Sequence, residues 1–86
     1  MNPYSLERDM AKPSLTRVEY IVMVNERMKE HPQYTKDMYV HFYPKGSSPE
    51  NASGIYVEGP LSARGVLADT DRKIFDEYDL EGLQVQ

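Results

Sequence analysis

Residues 38–43 read Met38-Tyr39-Val40-His41-Phe42-Tyr43, an alternation that an extended strand turns into two chemically different surfaces. Side chains along a strand point to opposite faces with period two, so Met38, Val40 and Phe42 share one side and Tyr39, His41 and Tyr43 the other. The first set is a core face. The second is aromatic with polar tips, a composition suited to an exposed surface that contacts something. A chain holding this segment is therefore expected to build a sheet covered on one side only.

The returning strand is Gly54-Ile55-Tyr56-Val57-Glu58-Gly59, again alternating. Keeping Met38, Val40, Phe42, Ile55 and Val57 on one face restricts the register, because a slip of one residue would turn a whole strand over. One allowed register places Phe42 across from Ile55 and His41 near Tyr56. Another places His41 across from Glu58 and Tyr43 across from Tyr56. Both gather Tyr39, His41, Tyr43, Tyr56 and Glu58 on the outer face. Cross-strand pairing of such residues adds about 0.2–1 kcal/mol per pair, so packing alone also accounts for the cluster.

Ahead of the strands, residues 15–30 carry a helical period, with a capping box predicted at Thr16-x-x-Glu19 and a stop at Pro32. Leu15, Val18, Ile21, Val22, Val24, Asn25 and Met28 fill one apolar arc. Tyr20 and Met23 fall outside that arc and predict a second contact, either with the N-terminal arm or with another subunit. Asn25 lies within the arc, where its amide needs partners, since an unpaired buried polar group costs about 1–3 kcal/mol. After the strands, Val66-Leu67-Ala68 is read as a short third strand. A second, shorter helix is expected over residues 71–81, capped by Thr70 or Asp69, with Ile74, Phe75 and Tyr78 as its buried stripe. Gly82 fits the position after the helix end, with Leu83 contacting Tyr78.

The expected fold class is α+β: a small antiparallel sheet of two or three strands with a long N-terminal helix and a shorter C-terminal one, in the order α-β-β-(β)-α. Residues 1–13 read as an arm, residues 14–82 as a single domain, and residues 83–86 as a tail. Residues 44–54 hold two prolines and two glycines and read as an exposed, mobile loop. Its Asn51-Ala52-Ser53 matches the glycosylation sequon, but no secretory signal accompanies it.

At 86 residues the chain suits one domain. It has no cysteine, which excludes disulfides and Cys-ligated zinc and favours a cytoplasmic setting. The N-terminus lacks the basic flank and apolar run of a signal peptide, and no apolar run is long enough to cross a bilayer. A net charge of −4 disfavours a phosphate-binding role, since nucleic-acid affinity grows with the number of phosphates neutralised. Double-stranded RNA-binding domains have a similar element order and bind through cations at the start of their last helix. Here the expected start is Asp69-Thr70-Asp71, so that chemistry is missing.

No catalytic, metal or cofactor site emerges. His31, next to Pro32, reads as a cation meeting a helix dipole. A His41–Glu58 pair is able to pass a proton but has no third orienting group, and the serines lie outside any nucleophile-elbow context. Asp76, Glu77, Asp79 and Glu81 crowd the end of the last helix, where the dipole disfavours anions, and form an acidic patch for a basic partner. The resulting expectation is a small non-enzymatic protein-interaction module, an accessory or inhibitory factor without cofactor that also forms a homodimer. Its partner-binding surface is Tyr39, His41, Tyr43, Tyr56 and Glu58, and its self-association surface Tyr20 and Met23. The alternative is nucleic-acid binding, with Tyr39, Tyr43 and Tyr56 stacking on bases and Lys36, Lys45, Arg64, Arg72 and Lys73 on phosphates.

Overall fold

A computed structural model of the chain describes residues 12–80 and 84–85. The order is helix α1 (Arg17–Met28), strands β1 (Tyr39–Tyr43) and β2 (Gly54–Glu58), helix α2 (Ala63–Glu77) and a two-residue strand β3 (Gln84–Val85). The class is α+β as expected, with the helix lengths reversed: α1 has 12 residues and α2 has 15. Among the described residues no helix is long and apolar enough to cross a membrane.

The capping box opens α1 as predicted. Glu19 N–H donates to Thr16 Oγ1 at 3.0 Å and Thr16 N–H donates to Glu19 Oε1 at 2.9 Å, so two otherwise orphaned donors are satisfied reciprocally. The buried face of α1 is not the predicted one. Tyr20, Val24, Asn25 and Met28 are buried, whereas Val18 and Val22 are 52% and 58% exposed. The helix is turned by roughly 70° from the arc inferred from its apolar positions, at 100° per residue. The reason is polar. Tyr20 O–H reaches the buried Asp71 carboxylate of α2 at 2.7 Å, and its ring stacks on Phe75 with centroids 5.9 Å apart. The second contact predicted for Tyr20 is thus made with α2 inside the domain.

Asn25 completes the same choice of face. Val40 N–H donates to Asn25 Oδ1 at 2.8 Å, while Asn25 Nδ2 donates to the Val40 and Ile21 carbonyls at 3.0 Å each. The side chain thereby behaves as a one-residue neighbouring strand at the outer edge of β1, and the buried amide is satisfied by backbone.

Strands β1 and β2 pair antiparallel in the first of the two registers, with Phe42 opposite Ile55, His41 opposite Tyr56 and Tyr39 opposite Glu58. Met38, Val40 and Ile55 are buried beneath the helices, with Phe42 and Val57 packed at the margin of the core. Gly59, at φ +135°, follows β2; a Cβ there would lie 3.1 Å from the Met38 side chain and 3.3 Å from the Asp37 carbonyl. The loop expected to be mobile over residues 44–54 is anchored, and its last residue, Gly54, already belongs to β2: Arg17 Nη1 donates to the Pro49 and Ala52 carbonyls at 2.8 Å each, and Ala52 is buried.

The third strand expected at Val66-Leu67-Ala68 is helix instead. The α2 pattern of Ala63, Val66, Leu67, Thr70, Asp71 and Ile74 follows a 3.6-residue period, and this buried stripe outweighs Gly65 near its start. Gly65 faces open space, so it costs only its intrinsic propensity, about 1 kcal/mol relative to Ala. Of the predicted stripe, Ile74 is fully buried, Tyr78 is half-buried and Phe75 is 39% exposed. The real third strand is Gln84–Val85, placed parallel to β2 with Gly54 opposite Gln84, where a tail was expected. Helix α2 ends at Glu77, and Tyr78 is extended. Asp79 then pairs with the start of the domain: its N–H donates to the Pro13 carbonyl at 3.0 Å and its carbonyl accepts from Leu15 N–H at 2.8 Å. Residues 12 and 13, assigned to the arm, belong to this joint. Gly82 and Leu83, the predicted end motif, lie outside the described residues.

Candidate functional site

The outer face of the β1–β2 hairpin is the side away from both helices. The pleat of β1 puts Tyr39, His41 and Tyr43 on it, and the register adds Tyr56 and Glu58 from β2. The five residues that the alternation groups together are one surface. Their rings form a continuous ladder: Tyr39 to His41 at 4.8 Å and tilted 56°, His41 to Tyr56 at 5.1 Å and nearly parallel, Tyr56 to Tyr43 at 6.3 Å and edge-on at 82°. Tyr39 is 51% exposed and Tyr43 40%.

His41 Nε2 lies 2.6 Å from Glu58 Oε1. The carboxylate accepts, so Nε2 carries the proton and the ring orientation is fixed against Tyr56. Among the described residues, the hydroxyls of Tyr39, Tyr43 and Tyr56 take part in no hydrogen bond. Three polar tips therefore remain available above an aromatic floor. Two adjoining hollows border the face. One, of about 480 Å³, runs from Tyr39, His41 and Tyr56 past Lys45 and Ser47 and around the outer edge of β1 to Phe42 and to Ile21 of α1; the second, of about 410 Å³, lies on the face among Tyr43, Lys45, Tyr56 and Glu58. Ser47 shares the first hollow with His41 without hydrogen bonding to it, so the pair is not arranged as nucleophile and base.

Lys45 is the residue of this surface that strand alternation alone misses. It follows β1 in the loop, where Ser47 N–H bonds back to the Pro44 carbonyl at 2.9 Å, and it lines both hollows beside the rings. The Pro-Lys-Gly-Ser sequence is the signal for that tight return. Of the cations named for nucleic acid, Lys45 alone joins the tyrosines in a hollow. Arg64, Arg72 and Lys73 belong to α2 in the helix layer, and Arg72 reaches Asp69 at 3.4 Å.

The other predicted surfaces fare differently. Tyr20 is 1% exposed and cannot serve as a contact with another copy; Met23 is half-buried in a shallow groove with Leu15, Val18, Val22 and Tyr78. Of the acidic residues, Glu77 is held by Arg27 of α1 at 2.9 Å, which keeps its carboxyl below the usual range and answers the dipole argument against an anion there. Asp76 is exposed, Asp79 lies beyond the helix end, and Glu81 lies outside the described residues. His31 does not serve as a helix-end cation. Its Nδ1 accepts from Gln33 N–H at 3.0 Å and its Nε2 donates to Asp69 at 2.9 Å, a bond that holds the Asp69 carboxyl below its usual range. These pairs line a polar cleft between the helices and tie α1 to α2. Among the described residues no group of three or more His, Cys, Asp or Glu side chains is placed to hold a metal ion.

No protein-family model, curated protein or solved structure matches the chain.

Proposed function

We propose that this chain is a small protein-binding module, acting as an accessory or inhibitory factor, that engages a partner protein through the outer face of its hairpin. The observation that carries this reading is the outward ladder Tyr39–His41–Tyr56–Tyr43, with its end rings exposed and the two between them half-buried. Tyrosine is enriched among interface hot spots because it offers large, rigid contact area with a polar tip. The core face of the hairpin already packs on two helices, which leaves the outer rings as the part of the sheet open to a partner. Glu58, bonded to His41, supports the same reading by holding the middle ring in place.

The test is affinity capture from the native host with the wild type and with Tyr39→Ala/Tyr43→Ala in parallel. Proteins retained by the wild type and lost with the variant, while its thermal unfolding stays cooperative, support the module. An unchanged set of retained proteins removes the hairpin face from contention.

A further inference from the structure

Building on that reading of the hairpin face, the geometry points to a ligand class: a proline-rich segment in the polyproline II conformation with a single basic residue beside its prolines. The first argument is shape. Two hollows share Tyr56, and the edge-on Tyr43–Tyr56 pair leaves a notch with exposed ring faces rather than a sealed stack. From Tyr39 to Tyr43 the strand advances about 13 Å, at roughly 3.3 Å per residue. A polyproline II chain rises about 3.1 Å per residue with three residues per turn, so every third side chain returns to the same side about 9 Å on. Two prolines at that spacing fit within the row of rings.

The second argument is hydrogen bonding. A polyproline II backbone makes no internal hydrogen bonds, so its carbonyls arrive needing donors. The free hydroxyls of Tyr39, Tyr43 and Tyr56 supply donors above the rings that take the apolar faces. Strand addition, the competing way of binding an extended segment, needs an open row of backbone groups. The outer edge of β1 does not offer one: Asn25 occupies Val40, and Pro44, which follows the strand, has no N–H. An extended ligand therefore meets the face of this hairpin and not its edge.

The third argument is charge. Glu58 is well exposed and rims both hollows, and the chain carries a net charge of −4, so a cation on the ligand is attracted. Lys45 at the same rim selects for one basic residue over a polybasic run. The same sparsity of cations on the face disfavours a nucleic-acid strand, for which backbone neutralisation is the main source of affinity.

The experiment is an NMR titration of the isotopically labelled full chain with three probes. These are an array of synthetic proline-rich peptides carrying one Lys or Arg, the same array with alanine replacing proline, and oligothymidylate. Members of the first array produce saturable shifts at residues 39–43 and 54–58, and the alanine forms do not. Tyr39→Phe/Tyr43→Phe/Tyr56→Phe keeps the ring ladder and removes the donors; it weakens the bound peptides by about tenfold. Glu58→Gln weakens them by about threefold. Silence of the whole proline array, or equal binding by the alanine forms, overturns the inference. If Tyr39→Ala/Tyr43→Ala still abolishes capture of a host protein in that case, the protein-binding reading stands and only the ligand class falls. Saturable binding of oligothymidylate at these residues, lost steeply as salt rises, overturns both.

Discussion

Tyr20→Phe removes one oxygen atom and tests why α1 presents the face it does. In the folded chain the Tyr20 hydroxyl is buried and donates at 2.7 Å to the buried Asp71 carboxylate. Burial pushes the Asp71 carboxyl above its ordinary range, and the Tyr20 bond partly opposes that rise. Burial and the neighbouring Asp71 push the Tyr20 phenol upward as well, so it remains the donor. In the variant the ring still stacks on Phe75, no large cavity opens, and Asp71 loses its hydrogen-bond donor. A hydrogen bond to a charged group contributes about 1.5–3 kcal/mol, so unfolding stability at neutral pH falls by about 2 kcal/mol. For a domain of this size each kcal/mol moves the melting temperature by about 4–8 °C, which makes the drop about 8–16 °C. The sign of the pH dependence follows from the raised Asp71 value. Its proton is bound more tightly in the folded state, so its contribution is fully favourable below the ordinary carboxylate range and is lost as pH rises through the folded value. Without the Tyr20 bond that value climbs further, and the deficit of the variant grows from acid to neutral pH. Urea denaturation of wild type, Tyr20→Phe, Asp71→Asn and the double variant across that range measures both effects, the cycle isolating the pair. A Tyr20→Phe loss below about 0.5 kcal/mol, or one independent of pH, refutes the reasoning.

Four further outcomes are expected. Val22→Lys stays within about 0.5 kcal/mol of wild type by thermal unfolding, whereas Val24→Ala, two positions along the same helix, loses at least about 1.5 kcal/mol. Asn25→Ala strands both backbone groups of Val40 and costs about 2 kcal/mol or more in denaturant unfolding, with faster amide exchange at Val40. Gly59→Ala destabilises the domain by more than about 1 kcal/mol, because it combines a disfavoured φ with a Cβ pressed on Met38 and the Asp37 carbonyl. Asp69 is held low by His31, so its contribution is present above the ordinary carboxylate range and lost as pH falls through the folded value; Asp69→Asn flattens that acid limb of the stability profile.

The hairpin was legible in advance because its information is local. Alternation at residues 38–43 and 54–58 leaves few registers, and the five outer residues follow from parity alone. The helix faces were not, because their information is long-range. Leu15, Val18 and Val22 look as apolar as Val24 and Met28, and their pattern favours a face centred on Val18. What decides against it is a carboxylate 51 residues away on α2, a partner that no window of sequence contains. The start of α2 was hidden for a different reason. Gly59, Pro60 and Gly65 punctuate the sequence as a loop does, yet the apolar period already runs from Ala63, and Gly65 is tolerated on the open side. Strand β3 is too short to announce itself, having two residues paired only through β2.

Asn25 has a consequence beyond its hydrogen bonds. Apolar contacts are tolerant of rotation: a helix with valines on several sides can roll and still exclude water. An amide that must meet one particular N–H and C=O is not tolerant. Bound to Val40, it works as a key that selects a single seating of α1 from several of comparable greasiness. Replacing it by leucine would raise the apolar content of the interface while enlarging the number of arrangements the helix can adopt. A polar residue in a hydrophobic interior thereby helps to make that interior unique.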